Sequence, residues 1–229
     1  MQIEHRAGAG TTGGIVWNAA LVLLRLMEKL HAPIGAETTS AGGSRREWWK
    51  SKKVLDVGSG TGLIGITAAI MGSPLVLCTD VPEQLSLVEA NLQRNSGLWE
   101  EGCQIVPTAL TWGVEEDYEA VKAVAGGPID VMLCSDLLFC AIRVDCLPQL
   151  LETMERLATP GVTQIYFIFQ QRIPWEEDEW VEGLKSSFSI VEEIGDLDLE
   201  DLSEKDCGTS GLASLFYEEP PIACYRLVK

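Results

Sequence analysis

The stretch from Val54 to Gly62, with the sequence VLDVGSGTG, constrains the fold of this chain more than any other. A short apolar run reaches the acid Asp56, glycines follow at every second position, and LIGITAA then begins a helical pattern. Glycine serves where the backbone takes a positive φ or lies close to a ligand. A helix N-terminus adds free N–H groups and partial positive charge. The stretch therefore predicts a strand, a tight turn and a helix that bind the carboxylate or phosphate end of a nucleotide-like ligand.

The rest of the chain alternates strand patterns with helical ones. We predict further strands at 75–80, 104–109, 129–134, 163–169, 189–194 and 221–228, and helices at 15–30, 63–71, 82–95, 145–157 and 175–188. Such alternation indicates an α/β fold, with a mostly parallel sheet covered by helices on both faces. Ligands in these folds bind beyond the carboxyl ends of the strands. We expect a single domain, with an N-terminal helix and loop over 1–44 and the core over 45–229.

Composition excludes several classes of function. The net charge of -17 and a pI near 4.4 weigh against a nucleic-acid partner, which requires a basic surface. No stretch has the ~20 uninterrupted apolar residues of a membrane span. The seven cysteines form no C-x-x-C pair, and His5 and His31 lack metal-ligand spacing, so we expect reduced thiols and no metal. These features predict a soluble intracellular protein, placed in the cytoplasm with the nucleus as an alternative, with no membrane partner.

Acidic residues are concentrated in the last third of the chain. They form a run at 176–179 and are frequent again over 192–206. We interpret both segments as solvated faces, with 196–206 forming a loop. The alternative is an acidic surface that attracts a basic protein or peptide.

Asp80 is the second strong signal. It ends the predicted strand 75–80, at about the distance from the glycine turn where an acid meets a ribose. One carboxylate can accept hydrogen bonds from two hydroxyls. The third glycine of a dinucleotide fingerprint is replaced by Leu63, which disfavours a dinucleotide.

Asp56 followed by G-x-G-x-G resembles motif I of the class I S-adenosylmethionine-dependent methyltransferases. The segment GIVWNAALVL from Gly14, the tetrapeptide LTWG from Leu110, and Asp80 with 91–95 resemble methyltransferase family 16. The likeness covers roughly 13–157. It implies a Rossmann-like seven-stranded sheet, S-adenosyl-L-methionine as cofactor, and a protein substrate presenting a lysine, such as a chaperone or a translation factor. The family usually has more residues before Trp17, so we expect a less closed substrate pocket.

The resemblance also implies residue roles. Trp17 would pack near the cofactor, the glycines would lie against its methionine end, Asp80 would hold the ribose hydroxyls, and Trp112 would cover the adenine. The complete set of expected cofactor-binding residues is Trp17, Asp56, Gly58, Ser59, Gly60, Asp80, Val81, Trp112 and Ser135.

The expected catalytic residues are Asp136 and Phe139. They occupy the family motif D-x-x-Y, with phenylalanine in place of tyrosine. The ring of Phe139 would form a wall of an apolar lysine channel, and Asp136 would accept a hydrogen bond from the target amine. Desolvation would lower the pKa of that amine while Asp136 would raise it, and the sequence leaves the balance open.

We predict direct in-line methyl transfer by a monomeric protein-lysine methyltransferase. Three alternatives remain at this point. One is a methyltransferase of the same fold acting on a small molecule or another protein side chain. The second is a cofactor-binding module without activity. The third is a nicotinamide-dependent oxidoreductase.

Overall fold

The computed structural model describes residues 1–6, 12–30, 45–194 and 221–229. Residues 31–44 of the predicted N-terminal helix and loop, and the predicted acidic loop at 196–206, lie outside these residues.

The described strands form one seven-stranded sheet. Its spatial order is β3-β2-β1-β4-β5-β7-β6. The strands are β1 (Lys53–Val57), β2 (Leu75–Asp80), β3 (Gln104–Ala109), β4 (Val131–Ser135), β5 (Gln164–Gln170), β6 (Ile190–Glu193) and β7 (Ile222–Val228). Strands β1 to β5 are parallel, and β7 runs antiparallel to both β5 and β6. The predicted mostly parallel sheet is confirmed, and each predicted strand is present.

Helices cover both faces of the sheet, as predicted. They are α1 (Asn18–Lys29), α2 (Arg45–Trp49), α3 (Leu63–Ile70), α4 (Leu85–Asn95), α5 (Glu115–Ala125), α6 (Leu137–Arg143), α7 (Leu147–Leu157) and α8 (Pro174–Ser187). One face packs α1, α3 and α4, with Leu23, Met27 and Ile66 fully buried. The other packs α5, α7 and α8 around Tyr118 and Leu150. Each fully buried side chain of this size stabilises the fold by about 1.5–3 kcal/mol.

The N-terminal segment is tied to α4 by two asparagine side chains. Asn95 exchanges hydrogen bonds with the backbone of Gln2, at 2.8 and 2.7 Å. Asn91 does the same with Glu4, at 2.6 and 3.1 Å. Asn91 also donates to the carbonyl oxygen of Thr61, at 2.9 Å, so the segment is linked to the glycine turn.

Strand order reverses at β1, which pairs with β2 on one side and β4 on the other. The connections from these strands therefore diverge, and a crevice opens beyond their carboxyl ends. Among the described helices, none is long and apolar enough to cross a membrane.

Candidate active site

A cleft of about 860 Å³ lies beyond the carboxyl ends of β1, β2 and β4. Residues 12–17 and the start of α1 form one wall, and α6 forms another. The structure brings all eleven residues singled out from the sequence into this cleft: Trp17, Asp56, Gly58, Ser59, Gly60, Asp80, Val81, Trp112, Ser135, Asp136 and Phe139. Their individual roles remain predictions.

The turn after β1 presents bare backbone to the cleft. Gly58 has a φ of 62°, and a Cβ there would lie 2.5 Å from Cδ2 of Leu137. Gly60 has a φ of 55°, and its Cβ would lie 2.9 Å from the carbonyl oxygen of Gly13. Both positions need glycine for conformation and for space. The Cα atoms of the turn can therefore lie directly against a ligand, while the N–H groups of Ser59 and Gly60 donate within the protein.

Asp56 links β1 to the start of α3. Its Oδ2 accepts a hydrogen bond from the N–H of Gly65, at 3.0 Å, and the residue is only 2% exposed. Burial raises the pKa of the Asp56 carboxyl to about 7, with a smaller upward contribution from the charge of Asp80. The hydroxyl of Ser59 donates to the carbonyl oxygen of Asp56, at 3.1 Å, so it also stabilises the turn.

Asp80 is held in a fixed orientation at the end of β2. Its Oδ2 accepts from the N–H of Gly60, at 2.8 Å, and its Oδ1 from the N–H of Val81, at 2.9 Å. Burial raises the pKa of Asp80, while these two hydrogen bonds lower it. Each carboxylate oxygen keeps a further lone pair, which suits a pair of ligand hydroxyls.

Trp112 lies beside the glycine turn, with its ring 3.8 Å from the position of a Cβ on Gly58. Two hydrogen bonds of 2.7 Å fix its neighbours: the N–H of Thr111 donates to Asp117, and the N–H of Gly113 donates to the hydroxyl of Tyr118. Both acceptors belong to α5, a helix that the sequence analysis missed.

The Oγ of Ser135 is the clearest sign that the cleft holds a polar ligand. It is buried and has no hydrogen-bond partner among the described residues. A buried polar atom without a partner is costly, and a ligand in the cleft can satisfy it. Together with the bare glycine turn and the fixed Asp80 carboxylate, it fits a cofactor that carries hydroxyl, amino and carboxylate groups.

Gln84 is a cleft residue that sequence reasoning missed. Its Nε2 donates to the carbonyl oxygens of Gly13, at 2.9 Å, and Gly60, at 3.0 Å. The side chain therefore connects the N-terminal segment to the glycine turn. Its position in the turn that follows Asp80 was the available sequence signal.

Asp136, which is expected to accept a hydrogen bond from the target amine, has a charged partner within the protein. Both oxygens accept from Arg172, with Nη1–Oδ1 and Nη2–Oδ2 distances of 2.8 Å. The guanidinium carbon lies 4.9 Å from the ring centroid of Phe139 and 5.2 Å from that of Trp17. Sequence reasoning missed Arg172, although it follows the end of β5, where the fold places functional side chains.

The acidic run at the start of α8 is not wholly solvated, and that interpretation is wrong for Glu177. This residue is 0% exposed. Its two carboxylate oxygens accept the backbone N–H of Arg172, at 2.9 and 3.0 Å. The carboxylate is buried because it anchors the segment that carries Arg172.

The sheet order, the glycine turn after β1 and the acid after β2 define a class I S-adenosylmethionine-dependent methyltransferase. A TehB-like methyltransferase from Corynebacterium glutamicum shares the fold, with a TM-score of 0.54 and 14% identity over 95% of this chain and 90% of that one. A precorrin 8W decarboxylase from Methanobacterium thermoautotrophicum also shares the fold, with a TM-score of 0.52 and 18% identity over 98% of this chain and 96% of that one.

Sequence comparison identifies the family within this class. A family model described as lysine methyltransferase matches residues 1–187. Protein N-lysine methyltransferase METTL21A of Danio rerio is 30% identical over 78% of this chain and 69% of its own length. EEF1A lysine methyltransferase 3 of Mus musculus is 29% identical over 69% of this chain and 55% of its own. The chain belongs to the lysine methyltransferase family and uses S-adenosylmethionine as methyl donor.

Proposed function

We propose that this enzyme methylates a lysine side chain of a non-histone protein. One observation carries the proposal. The cleft that contains the glycine turn and Asp80 also has an end walled by the aromatic rings of Trp17 and Phe139, where the partly buried Asp136–Arg172 pair lies. An apolar, aromatic passage suits the long aliphatic stem of lysine.

The cofactor residues follow from the contacts above. Asp80 would accept hydrogen bonds from the ribose hydroxyls, and the ring of Trp112 would cover the adenine. Gly58, Ser59 and Gly60 would lie against the methionine end, near Asp56. Val81 would border the nucleoside, and the Oγ of Ser135 would gain its missing partner at the methyl-transfer end.

The chemistry needs positioning more than acid or base catalysis. When bound, S-adenosylmethionine supplies a methyl group that its sulfonium activates and that passes to the acceptor nitrogen as the S–C bond breaks. Trp17 and Phe139 would exclude water and align the lysine stem, and Asp136 would orient the amine. The amine must arrive neutral, because an ammonium has no lone pair.

Charge and family relatives indicate the substrate class. A net charge of -17 favours association with a basic protein surface. The name of EEF1A lysine methyltransferase 3 makes translation elongation factor 1A the first candidate, with chaperones next. The six described cysteines are free thiols, in keeping with a reducing compartment such as the cytoplasm. We also propose a monomer with a single domain over 1–229.

A labelling experiment tests this function. The enzyme is incubated with tritium-labelled S-adenosylmethionine and either purified elongation factor 1A or a cell extract. A labelled protein whose modification maps to lysine supports the proposal. Label found only in small solutes, or cofactor binding without any transfer, contradicts it. The matched control is Asp80→Asn, which should label much less.

A further inference from the structure

The acceptor end of the cleft contains an ion pair whose cationic member no sequence motif indicated. Asp136 is 7% exposed, and the side chain of Arg172 is 17% exposed. A carboxylate in such a place normally acts on nearby groups through its full charge. Here the two-pronged guanidinium contact neutralises that charge within the protein.

Arg172 is held from several sides. Its Nη1 and Nη2 donate to the backbone and side-chain oxygens of Gln170, at 3.2 and 3.0 Å, in addition to Asp136. Glu177 fixes its backbone N–H. The rings of Trp17 and Phe139 lie against the guanidinium. The side chain is therefore preorganised, because its rotamer is fixed before any substrate arrives.

Asp136 is constrained in the same way. It adopts a left-handed conformation, with a φ of 59°, which is uncommon for a residue other than glycine. Its N–H donates to the carbonyl oxygen of Ile168, at 2.8 Å, and its Oδ1 also accepts from the N–H of Gln170, at 3.2 Å. This strained arrangement, with three hydrogen bonds to the carboxylate, is the kind found at functional sites.

We propose that Arg172 is a positioning residue for methyl transfer: it fixes the Asp136 carboxylate and cancels its charge, so that the acceptor amine approaches a neutral pair. The inference rests on the proposed lysine acceptor. A free carboxylate would hold the amine as an ammonium, which cannot accept a methyl group. The paired carboxylate can still orient the amine through the lone pair that remains on Oδ2, since Oδ1 already accepts two hydrogen bonds.

Other titratable groups surround this end, and the test must separate them from Arg172. They are Glu177 on α8, Arg143 and Cys140 on α6, and Asp80 at the end of β2. Burial raises the pKa of the Cys140 thiol, and the charges of Asp136 and Asp80 raise it further while Arg172 lowers it. All four groups remain when Arg172 is changed, but Arg172 also lowers the pKa of Cys140, so a pH shift is assigned to the ion pair only through its reversal by Asp136→Asn.

The test compares pH profiles of kcat/KM for label transfer to elongation factor 1A, or to the dialysed extract protein that the wild-type enzyme labels. In Arg172→Met, the unpaired Asp136 should raise the pKa of the acceptor amine. The rising limb of the pH profile should therefore move to higher pH by about one unit. Adding Asp136→Asn to Arg172→Met should move the limb back to lower pH, because this double variant has no carboxylate at position 136. The rising limb of Arg172→Lys should lie between those of the wild type and Arg172→Met. The control Arg226→Met removes a paired arginine on β7, outside the cleft, and should leave the limb unchanged.

An unshifted limb in Arg172→Met, or a shift that Asp136→Asn does not reverse, overturns the inference while leaving lysine methylation intact. Absence of lysine labelling by the wild-type enzyme contradicts the proposed function instead. Urea unfolding needs no acceptor and tests the pair by itself. The double variant should unfold at a midpoint no lower than Arg172→Met, because it buries no unpaired charge. If the urea midpoint of the double variant is lowered by the sum of the decreases in the two single variants, the inference is also overturned.

Discussion

The backbone N–H of Gly60 donates to Oδ2 of Asp80 across 2.8 Å and so joins the glycine turn of β1 to the acid that ends β2. The two strongest signals in the sequence are therefore one structural unit. The contact fixes the carboxylate while leaving lone pairs for a ligand. It explains why the spacing between the turn and the acid carries information about the cofactor.

Replacing Asp80 by asparagine should weaken S-adenosylmethionine binding by about 1–3 kcal/mol, because charged hydrogen bonds to the ribose become neutral ones. Calorimetric titration measures the change. Glu83→Gln is the matched control, since it removes an exposed acid three residues away, and should bind normally. Equal affinity of Asp80→Asn and wild type would remove Asp80 from the cofactor site.

Gly58→Ala should impair both folding and cofactor binding. The new Cβ would lie 2.5 Å from Leu137 and would also suffer the cost of a positive φ, about 1–2 kcal/mol. Gly126→Ala separates the two effects, because Gly126 has a φ of 59° with nothing within 4 Å of its Cβ. Thermal unfolding should show a larger loss for Gly58→Ala. Equal losses would mean that the close approach is unimportant.

Gln84→Ala should raise the dissociation constant for S-adenosylmethionine about fivefold, because two carbonyl oxygens lose a donor worth about 1 kcal/mol in all. Release of the N-terminal segment should also speed its proteolysis. Gln93→Ala, at an exposed position on α4, the helix that follows Gln84, serves as control. Unchanged affinity and proteolysis would show that the Gly13–Gln84–Gly60 connection does not organise the cleft.

Asp56 predicts a pH dependence of stability. Burial raises its pKa in the folded protein to about 7 from a reference value of 3.8, so the folded state holds a proton that the unfolded state releases. Its contribution to stability is greatest at low pH and is lost as pH rises through about 7. Relative to Asp56→Asn, the wild-type free energy of unfolding should fall by about 2 kcal/mol between pH 5 and 7. A constant difference over this range would contradict the assignment.

The sheet was predictable because its parallel strands are buried on both faces and read as continuous apolar runs. Strands β2 and β3 match the sequence prediction residue for residue. Helix α6 was missed because it has only seven residues, is mostly apolar and is separated from β4 by Asp136 alone. Helix α5 was missed because its charged residues conceal the three that face the core, Tyr118, Val121 and Ala125.

The site residues also divide into those that the sequence could predict and those that it could not. Gly58 and Asp80 could be assigned to one cleft from their spacing at strand ends, and Trp112 from the family resemblance. Arg172 could not, because its partner Asp136 lies 36 residues earlier and only the β4–β5 pairing brings them together. Glu177 was misread for a related reason, since its burial depends on a contact with the backbone that follows β5.

Chemical identification of the methylated amino acid tests the central claim most directly. Protein labelled by the enzyme with tritiated S-adenosylmethionine is hydrolysed completely in acid, and the amino acids are separated by chromatography. We predict that the label elutes with methylated lysine, and that Asp80→Asn reduces it strongly. Label eluting as methylarginine or methylhistidine, or released as volatile methanol from an ester, would contradict lysine methylation by this protein.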